Sequence, residues 1–309
     1  MSTHKTTVGI IGVGMVGREL GRYFREILGY ERGRDIFLYD IDPKKSYADN
    51  VSRAEVIFIS VPTPRAHDGS CNISAVESAI ASIEGPHVVV IKSTVPPGTT
   101  KRLQKKHPEH KMLFNPEFLT ESQAWYDMIR PDRQIVGFTE RSIDAAHVVL
   151  SLLPKAPFMS PGGSGYKRHA LTATEAELAK IFGNAFFSLK VTFANLMADA
   201  AMALGANYEN VRSALAADYR IGASHLDVLH GGYRGFGGYC LPKDIDALIA
   251  SCKEAGVDPA LLEAARDQNE KLLQRQGLTL AEVCGHNGES DFEKRAFNAP
   301  AATELPKAS

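Results

Sequence analysis

The stretch 235-GFGGYCLPKD-244 holds the densest chemistry in the sequence. Its glycines leave the backbone free to approach a ligand, and Pro242 suits the first turn of a helix, so Cys240 falls beside a helix N-terminus. There the helix dipole favours thiolate over thiol, which is what a nucleophile needs. Lys243 and Asp244 add a cation and a carboxylate in the same span. The same residues also fit a cysteine packed at the end of a loop. A second group, Lys180 and Asn184, is four residues apart in a helical stretch and shares a face, where a cation and an amide can stabilise an oxyanion or alkoxide. The plainer reading pairs Lys180 with Glu177 at the surface. The third group is Gly12, Gly14 and Gly17, with Asp40 ending the next strand. Such glycines permit a tight turn, close approach of a pyrophosphate and close helix packing, and the helix N-terminus favours the phosphate charge. Asp40 can accept hydrogen bonds from an adenosine ribose and would repel a 2′-phosphate, which points to NAD over NADP.

These groups need elements to hold them. Residues 7–14 read as a buried strand entering the glycine turn, after which Val16, Leu20, Phe24 and Ile27 recur at helical spacing. Strands at 36-IFLYD-40, 56-VIFISV-61 and 88-VVVI-91, with a helix over about 74–84, predict a parallel sheet covered on both faces. Shorter strands are expected at 111-KMLF-114 and 134-QIVGF-138, and 159-MSPGGSGYKRH-169 is the linker candidate. A capping box at Thr174 and Glu177 then opens one long helix that Gly205 stops. Helices follow over about 207–217, from Pro242 to near Gly256, and over about 259–274, with Cys252 expected in the core. The fold class is α/β: a Rossmann-type parallel-sheet domain over 1–168, then a mainly helical domain over 169–278. Residues 279–309 are read as a disordered tail, because their polar end has too little apolar material to pack.

Composition narrows the function. With 309 residues, 44% of them apolar, the chain can bury about two cores at roughly 150 residues per domain. Thirty-five Lys and Arg against 36 Asp and Glu give a net charge of −1, so no global pull toward nucleic acid or an anionic membrane is expected. The apolar runs are too short for a transmembrane helix, the N-terminus lacks a signal-peptide cleavage site, and a cytoplasmic location is expected. Four cysteines without CxxC spacing read as reduced thiols. The charged run 101–111 reads as a solvated helix end, and His107 and His110, with no supporting carboxylate or cysteine cluster, predict no metal site.

The glycine turn, 61-VPTP-64, 92-KSTVPPGTT-100, 115-NPEFLTE-121, 131-PDRQIVG-137, 177-ELAKIFGNAF-186, 220-RIG-222 and 235-GFGGYCLPKD-244 occur in the order and spacing of the UDP-glucose/GDP-mannose dehydrogenase family. The sequence resembles that family from about residue 7 to 275, and most of all its branch that oxidises UDP-glucose at C6. The resemblance implies an NAD-dependent double oxidation of a nucleotide sugar to a uronic acid of the kind used in polysaccharide biosynthesis. Cys240 would capture the aldehyde as a thiohemiacetal and then carry a thioester. Lys180 and Asn184 would stabilise charge on the oxygen at C6, Asp244 would act as acid/base and position water, and Glu117 and Thr94 would stand near the hydrolytic water. Phe118, Leu119, Thr120 and Glu121 would line the sugar-nucleotide site with Gly237. Met15, Val16, Lys45, Pro62, Thr63, Thr94 and Glu121 would join Gly12, Gly14, Gly17 and Asp40 around the cofactor. Arg220 would reach the substrate of a neighbouring subunit, and the long helix would form a homodimer.

The match departs from the family in two places. Fewer than 40 residues follow the last expected helix, too few for the family's uridine-gripping third domain, which leaves room for a separate chain supplying it. The stretch from Asp40 to Val56 is also short for the family. Two other functions fit the elements: a β-hydroxyacid-type dehydrogenase, whose single oxidation has no use for Cys240, and a non-catalytic NAD-binding subunit, for which Lys180, Asn184, Cys240 and Asp244 together would serve no purpose.

Overall fold

The structure, a computed structural model, describes residues 5–66, 68–162 and 170–284. β1 (Val8–Ile11) runs into α1 (Met15–Arg22), and β2 (Ile36–Tyr39), β3 (Val56–Ile59), α2 (Ser74–Ala81), β4 (Val88–Ile91), α3 (Thr99–Lys106) and β5 (Lys111–Phe114) follow. After them come α4 (Ala124–Ile129), β6 (Arg133–Ile135), β7 (Gly137–Phe138), α5 (Ala146–Leu152) and β8 (Phe158–Ser160). The main sheet has the order β2-β1-β3-β4-β5-β7, parallel except for β7, which runs antiparallel to β5. Successive side chains of a strand point to opposite faces, and here both faces are packed. Ile10, Leu38, Phe58, Val90 and Leu113 fill one core, while Ile11, Phe37, Ile57, Ile59, Val89 and Ile91 fill the other. This explains the unbroken apolar runs. The strand order reverses between β1 and β3, so the crevice at their C-terminal ends is where such a sheet takes a ligand.

The strand expected over 134–138 is two. β6 leaves the main sheet and pairs in parallel with β8, the Val136 N–H donates to the Ser160 carbonyl at 2.8 Å, and β7 joins β5. Gly137 permits this, since a Cβ there would stand 2.6 Å from the Ala176 Cβ. The linker candidate therefore begins inside β8, and its residues 163–169 lie outside the described ones.

The remaining elements are α6 (Ala173–Ala203), α7 (Tyr208–Ala216), a hairpin of β9 (Leu229–His230) and β10 (Tyr233–Arg234), α8 (Leu241–Glu254), α9 (Ala260–Arg275) and α10 (Leu280–Val283). The chain divides into two compact units between Ile181 and Phe182, inside α6. The cap of α6 also differs from expectation: Thr172 and Glu175 form the box, with the Thr172 N–H donating to Glu175 at 2.6 Å and the Glu175 N–H to the Thr172 hydroxyl at 3.3 Å. Thr174 and Glu177 meet the same spacing rule two residues too late. In the second unit Phe236, Ile245, Ile249, Ala265 and Val191 form the core, and Cys252, expected there, is only half-buried. Residues 279–284 are not tail: Thr279 and Glu282 cap α10, and Val283 packs on Tyr233 and Leu273. The rest of the expected tail, 285–309, lies outside the described residues.

Along α6, Phe182, Phe186, Phe193 and Leu196 fall within one stripe at 100° per residue, and each is more than half exposed. By length and composition α6 could cross a bilayer, an exception to the expectation drawn from the short apolar runs. Its buried Lys180, Asn184 and Asn195 make it equally the core helix of a folded domain.

Candidate cofactor and catalytic sites

The glycine turn is built by contact. Gly12 has φ +91°, and a Cβ there would strike the Ser60 carbonyl at the end of β3, while one on Gly17 would strike the Gly12 carbonyl. Gly14 is different: it is the N-cap of α1, exposed, with no chain atom within 4 Å of where a side chain would begin. A pyrophosphate can therefore approach the first N–H groups of α1, beside Met15 and Val16, and the cradle fits a dinucleotide. Asp40 closes the turn by accepting from the Val13 N–H at 2.7 Å and the Asp42 N–H at 3.0 Å, and Lys45 pairs with it at 2.9 Å. Burial works to raise the Asp40 pKa, but Lys45 and the two N–H donors outweigh it and hold the carboxylate ionised. Pro62 is exposed, and the buried Thr63 donates its hydroxyl to the Thr94 carbonyl at 2.8 Å, tying the loop after β3 to the loop after β4.

The loop after β5 carries Glu117, Phe118, Leu119 and Thr120, with the exposed Glu121 opening a 3-10 turn. Glu117 accepts from the Leu119 N–H at 2.7 Å and from the Lys180 ammonium at 2.8 Å; Lys180 is buried, and the Glu117 side chain is 10% exposed. Burial alone would raise the Glu117 pKa, yet the charge of Lys180, its hydrogen bond, and Lys92 beyond it pull the carboxyl below its ordinary range. Phe118 lies under Arg133, whose guanidinium is 3.9 Å from the ring centroid, and the Lys180 ammonium is 5.5 Å from the same ring. The surface pair Lys180–Glu177 does not form. Glu177 is fully buried and holds the start of α3 instead, accepting from the Gly98 N–H at 2.6 Å and from the Thr100 N–H and hydroxyl at 2.8 and 2.6 Å. Burial pushes its carboxyl up to about 7. Lys92 carries no assigned role in the sequence reading, yet it is buried and donates to the Asn115 side chain at 2.7 Å.

In the second unit Cys240 is the N-cap of α8, half-buried, with Leu241 and Pro242 in the first turn. Asp244, one turn in, is 1% exposed; it accepts from the Asn184 amide at 2.6 Å and pairs with Lys243. The glycine loop is pinned from two helices. Asn269 of α9 accepts from the Phe236 N–H at 2.7 Å and donates to its carbonyl at 2.8 Å, while Arg234 reaches Asn195 at 3.0 Å and Asp199 at 2.6 Å on α6. Gly235 has φ +107° and would put a Cβ 2.6 Å from the Asn269 Oδ1. Gly237 faces the chain: a side chain there would strike the Tyr233 hydroxyl. Arg220 is exposed and clamped on Asp218, with contacts at 2.6 and 3.0 Å.

His107 and His110 do have a carboxylate beside them, contrary to expectation. Glu109 lies 3.4 Å from one and 3.7 Å from the other. His110 Nδ1 accepts from the His87 N–H at 3.3 Å, so its neutral ring presents a proton and not a lone pair at Nε2, and a metal there would first have to break that bond.

Residues 41–151 match the NAD-binding domain of the UDP-glucose/GDP-mannose dehydrogenase family, and residues 174–271 its central domain. The chain is 35% identical over 275 residues to UDP-glucose 6-dehydrogenase of Pseudomonas aeruginosa, covering 82% of this chain and 58% of that one. It is 34% identical to the enzyme of the same name from Rhizobium meliloti, over 75% of this chain and 54% of the relative. It thus spans little more than half the length of these curated relatives. Among solved structures, the UDP-glucose dehydrogenase of Pyrobaculum islandicum superposes with a TM-score of 0.73 at 28% identity, over 89% of this chain and 72% of that one. With its glycine turn, its Rossmann-type sheet and its long central helix in the family's order, the chain belongs to the UDP-glucose/GDP-mannose dehydrogenase family, whose NAD-binding and central domains it carries.

Proposed function

We propose that the protein is an NAD-dependent nucleotide-sugar 6-dehydrogenase that oxidises the C6 alcohol of UDP-glucose, or a related nucleotide hexose, to the uronate. NAD supplies a hydride acceptor in each of two oxidations. Gly12, Gly14, Met15, Val16 and Gly17 would seat its pyrophosphate, Asp40 with Lys45 its adenosine ribose, and Pro62, Thr63, Thr94 and Glu121 the remainder. In the first oxidation C6 loses a hydride and its hydroxyl loses a proton, with Asp244 as base; Lys180 and Asn184 stabilise the charge on that oxygen. The Cys240 thiolate adds to the aldehyde carbon, forming a carbon–sulfur bond, and the oxygen takes up a proton as a thiohemiacetal. Loss of a second hydride and that proton leaves a thioester. Water, positioned by Glu117, Thr94 and Asp244, adds to the thioester carbon, the carbon–sulfur bond breaks, and the uronate leaves with Cys240 regenerated.

Phe118, Leu119, Thr120, Glu121 and Gly237 form the sugar-nucleotide side of this reading, with Arg220 contributed to a neighbouring protomer. A homodimer through the exposed phenylalanine stripe of α6 goes with it, as does work in the cytoplasm. The observation that supports it most is a buried carboxylate, Asp244, held by Asn184 one turn after a helix-capping cysteine. A dehydrogenase that stops at the aldehyde needs no such thiol. The test is NADH formed per UDP-glucose consumed by the purified chain. Two are expected for the wild type and at most one, with turnover lowered by at least on the order of 100-fold, for Cys240→Ser. A ratio of one in both proteins would refute the covalent route.

A further inference from the structure

One short segment of the first unit, Asn115 to Glu117, receives two buried ammonium groups and carries a single carboxylate. Lys92 directly follows β4 and Asn115 directly follows the neighbouring strand β5. The Lys92 ammonium donates to the Asn115 side-chain oxygen at 2.7 Å and reaches its carbonyl at 3.4 Å. Asn115 is fully buried and is itself fixed by donating to the Ile135 carbonyl at 2.7 Å. Two residues on, Glu117 takes the Lys180 ammonium from α6. A buried lysine facing only neutral amides would be costly, and removing one partner of a buried ion pair is costlier than lacking both.

Resting on the function proposed above, we propose that Lys92 is a positioning residue of this site: fixed on Asn115 two residues before Glu117, it is a second buried ammonium beside the carboxylate that holds Lys180, so these three groups together carry one positive charge in excess. That excess charge is the complement of an oxygen that becomes negative at C6 during oxidation. Lys92 acts through Glu117 and Asn115 and need not touch the sugar. Among the described residues the charged groups that face it are Glu117 and Lys180, with Asn115 and Gln134 as neutral polar neighbours. Burial, the largest influence, brings its ammonium down to about 8; Lys180 pushes the same way and Glu117 opposes both.

Two experiments test this. The first needs no turnover: lysine side chains are labelled with nitrogen-15 and titrated by NMR, Lys92→Met assigning the signal. The Lys92 midpoint is expected to fall in Glu117→Gln, which removes its counter-charge, and to rise in Lys180→Met, which removes its repulsion. Midpoints that stay put in both variants would overturn the proposal. The second is the pH profile of NADH formation. Without Lys92 the Glu117 carboxyl is easier to protonate, so in Lys92→Met the acid limb moves to higher pH by about one unit, while Lys92→Arg keeps it near the wild-type position. Uniformly lowered activity with an unmoved limb, in a Lys92→Met protein that still folds, would also overturn it. Absence of NADH from the wild type would instead remove the dehydrogenase reading, and the titration would still decide whether Lys92 senses Glu117 and Lys180.

Discussion

Each unit buries a carboxylate against a lysine, and the two pairs are made in opposite ways. Glu117 lies in coil after β5 and meets Lys180 from 63 residues away, whereas Asp244 stands in the first turn of α8 beside its sequence neighbour Lys243. The first pair ties α6 to the C-terminal edge of the sheet, so on the function proposed above fold and chemistry depend on it together. The second joins sequence neighbours at one helix start, and Asp244 meets α6 through the neutral Asn184 amide, so on the function proposed above its loss falls mainly on the chemistry. Shared burial does not make two ion pairs equivalent; what each one fastens does.

The largest effect should come from Glu117→Gln, which leaves two buried ammonium groups without a carboxylate. A loss of about 3–5 kcal/mol of unfolding free energy is expected, read by urea denaturation. A loss under about 1 kcal/mol would break the contrast. Next is Glu177, the other carboxylate that joins α6 to a distant loop. Its folded pKa, about 7, stands above the ordinary 4.5, so its contribution is fully present below about pH 4.5 and is lost as pH rises toward 7. At 1.36 kcal/mol per unit that is up to roughly 3 kcal/mol. The fall should be visible in wild-type unfolding curves across that window and flat in Glu177→Gln. The smallest effect on stability should be that of Asp244→Asn, about 1–2 kcal/mol, because the amide oxygen can still accept from Asn184 and from the single neighbouring ammonium of Lys243. Its NADH formation should nevertheless fall at least as far as that of Glu117→Gln. Equal destabilisation of the two variants would show that the local pair also carries the fold.

What could be read from the sequence follows the same line. The glycine turn, Asp40, the capping cysteine and the parallel strands announce themselves within a few residues, because turn geometry, helix starts and two-sided burial are local patterns. The partner of Lys180 was not readable. Glu177 lies at helical spacing and Glu117 does not, yet tertiary packing turns Glu177 inward onto α3 and leaves Lys180 for the loop after β5. Lys92 escaped for the same reason, since nothing beside it in sequence says that Asn115 will receive it. The cap of α6 misled differently. Thr172-x-x-Glu175 and Thr174-x-x-Glu177 satisfy one spacing rule, and it is the distant partners of Glu177, Gly98 and Thr100, that leave the cap to the first. Strand 134–138 broke because Val136 bonds to Ser160, again a distant partner.

The start of α6 at Thr172 has one more consequence, for which changes of length the gene can accept. Glu177, Lys180 and Asn184 take their directions from a helix wound from that point, at about 100° per residue. One codon gained or lost between Thr172 and Glu177 would swing all three away from α3, Glu117 and Asp244 at once. Four codons together would return them to within about 40° of their places, though displaced by a turn. Natural variation in the length of this chain should therefore collect in its surface loops and leave the first three turns of α6 untouched.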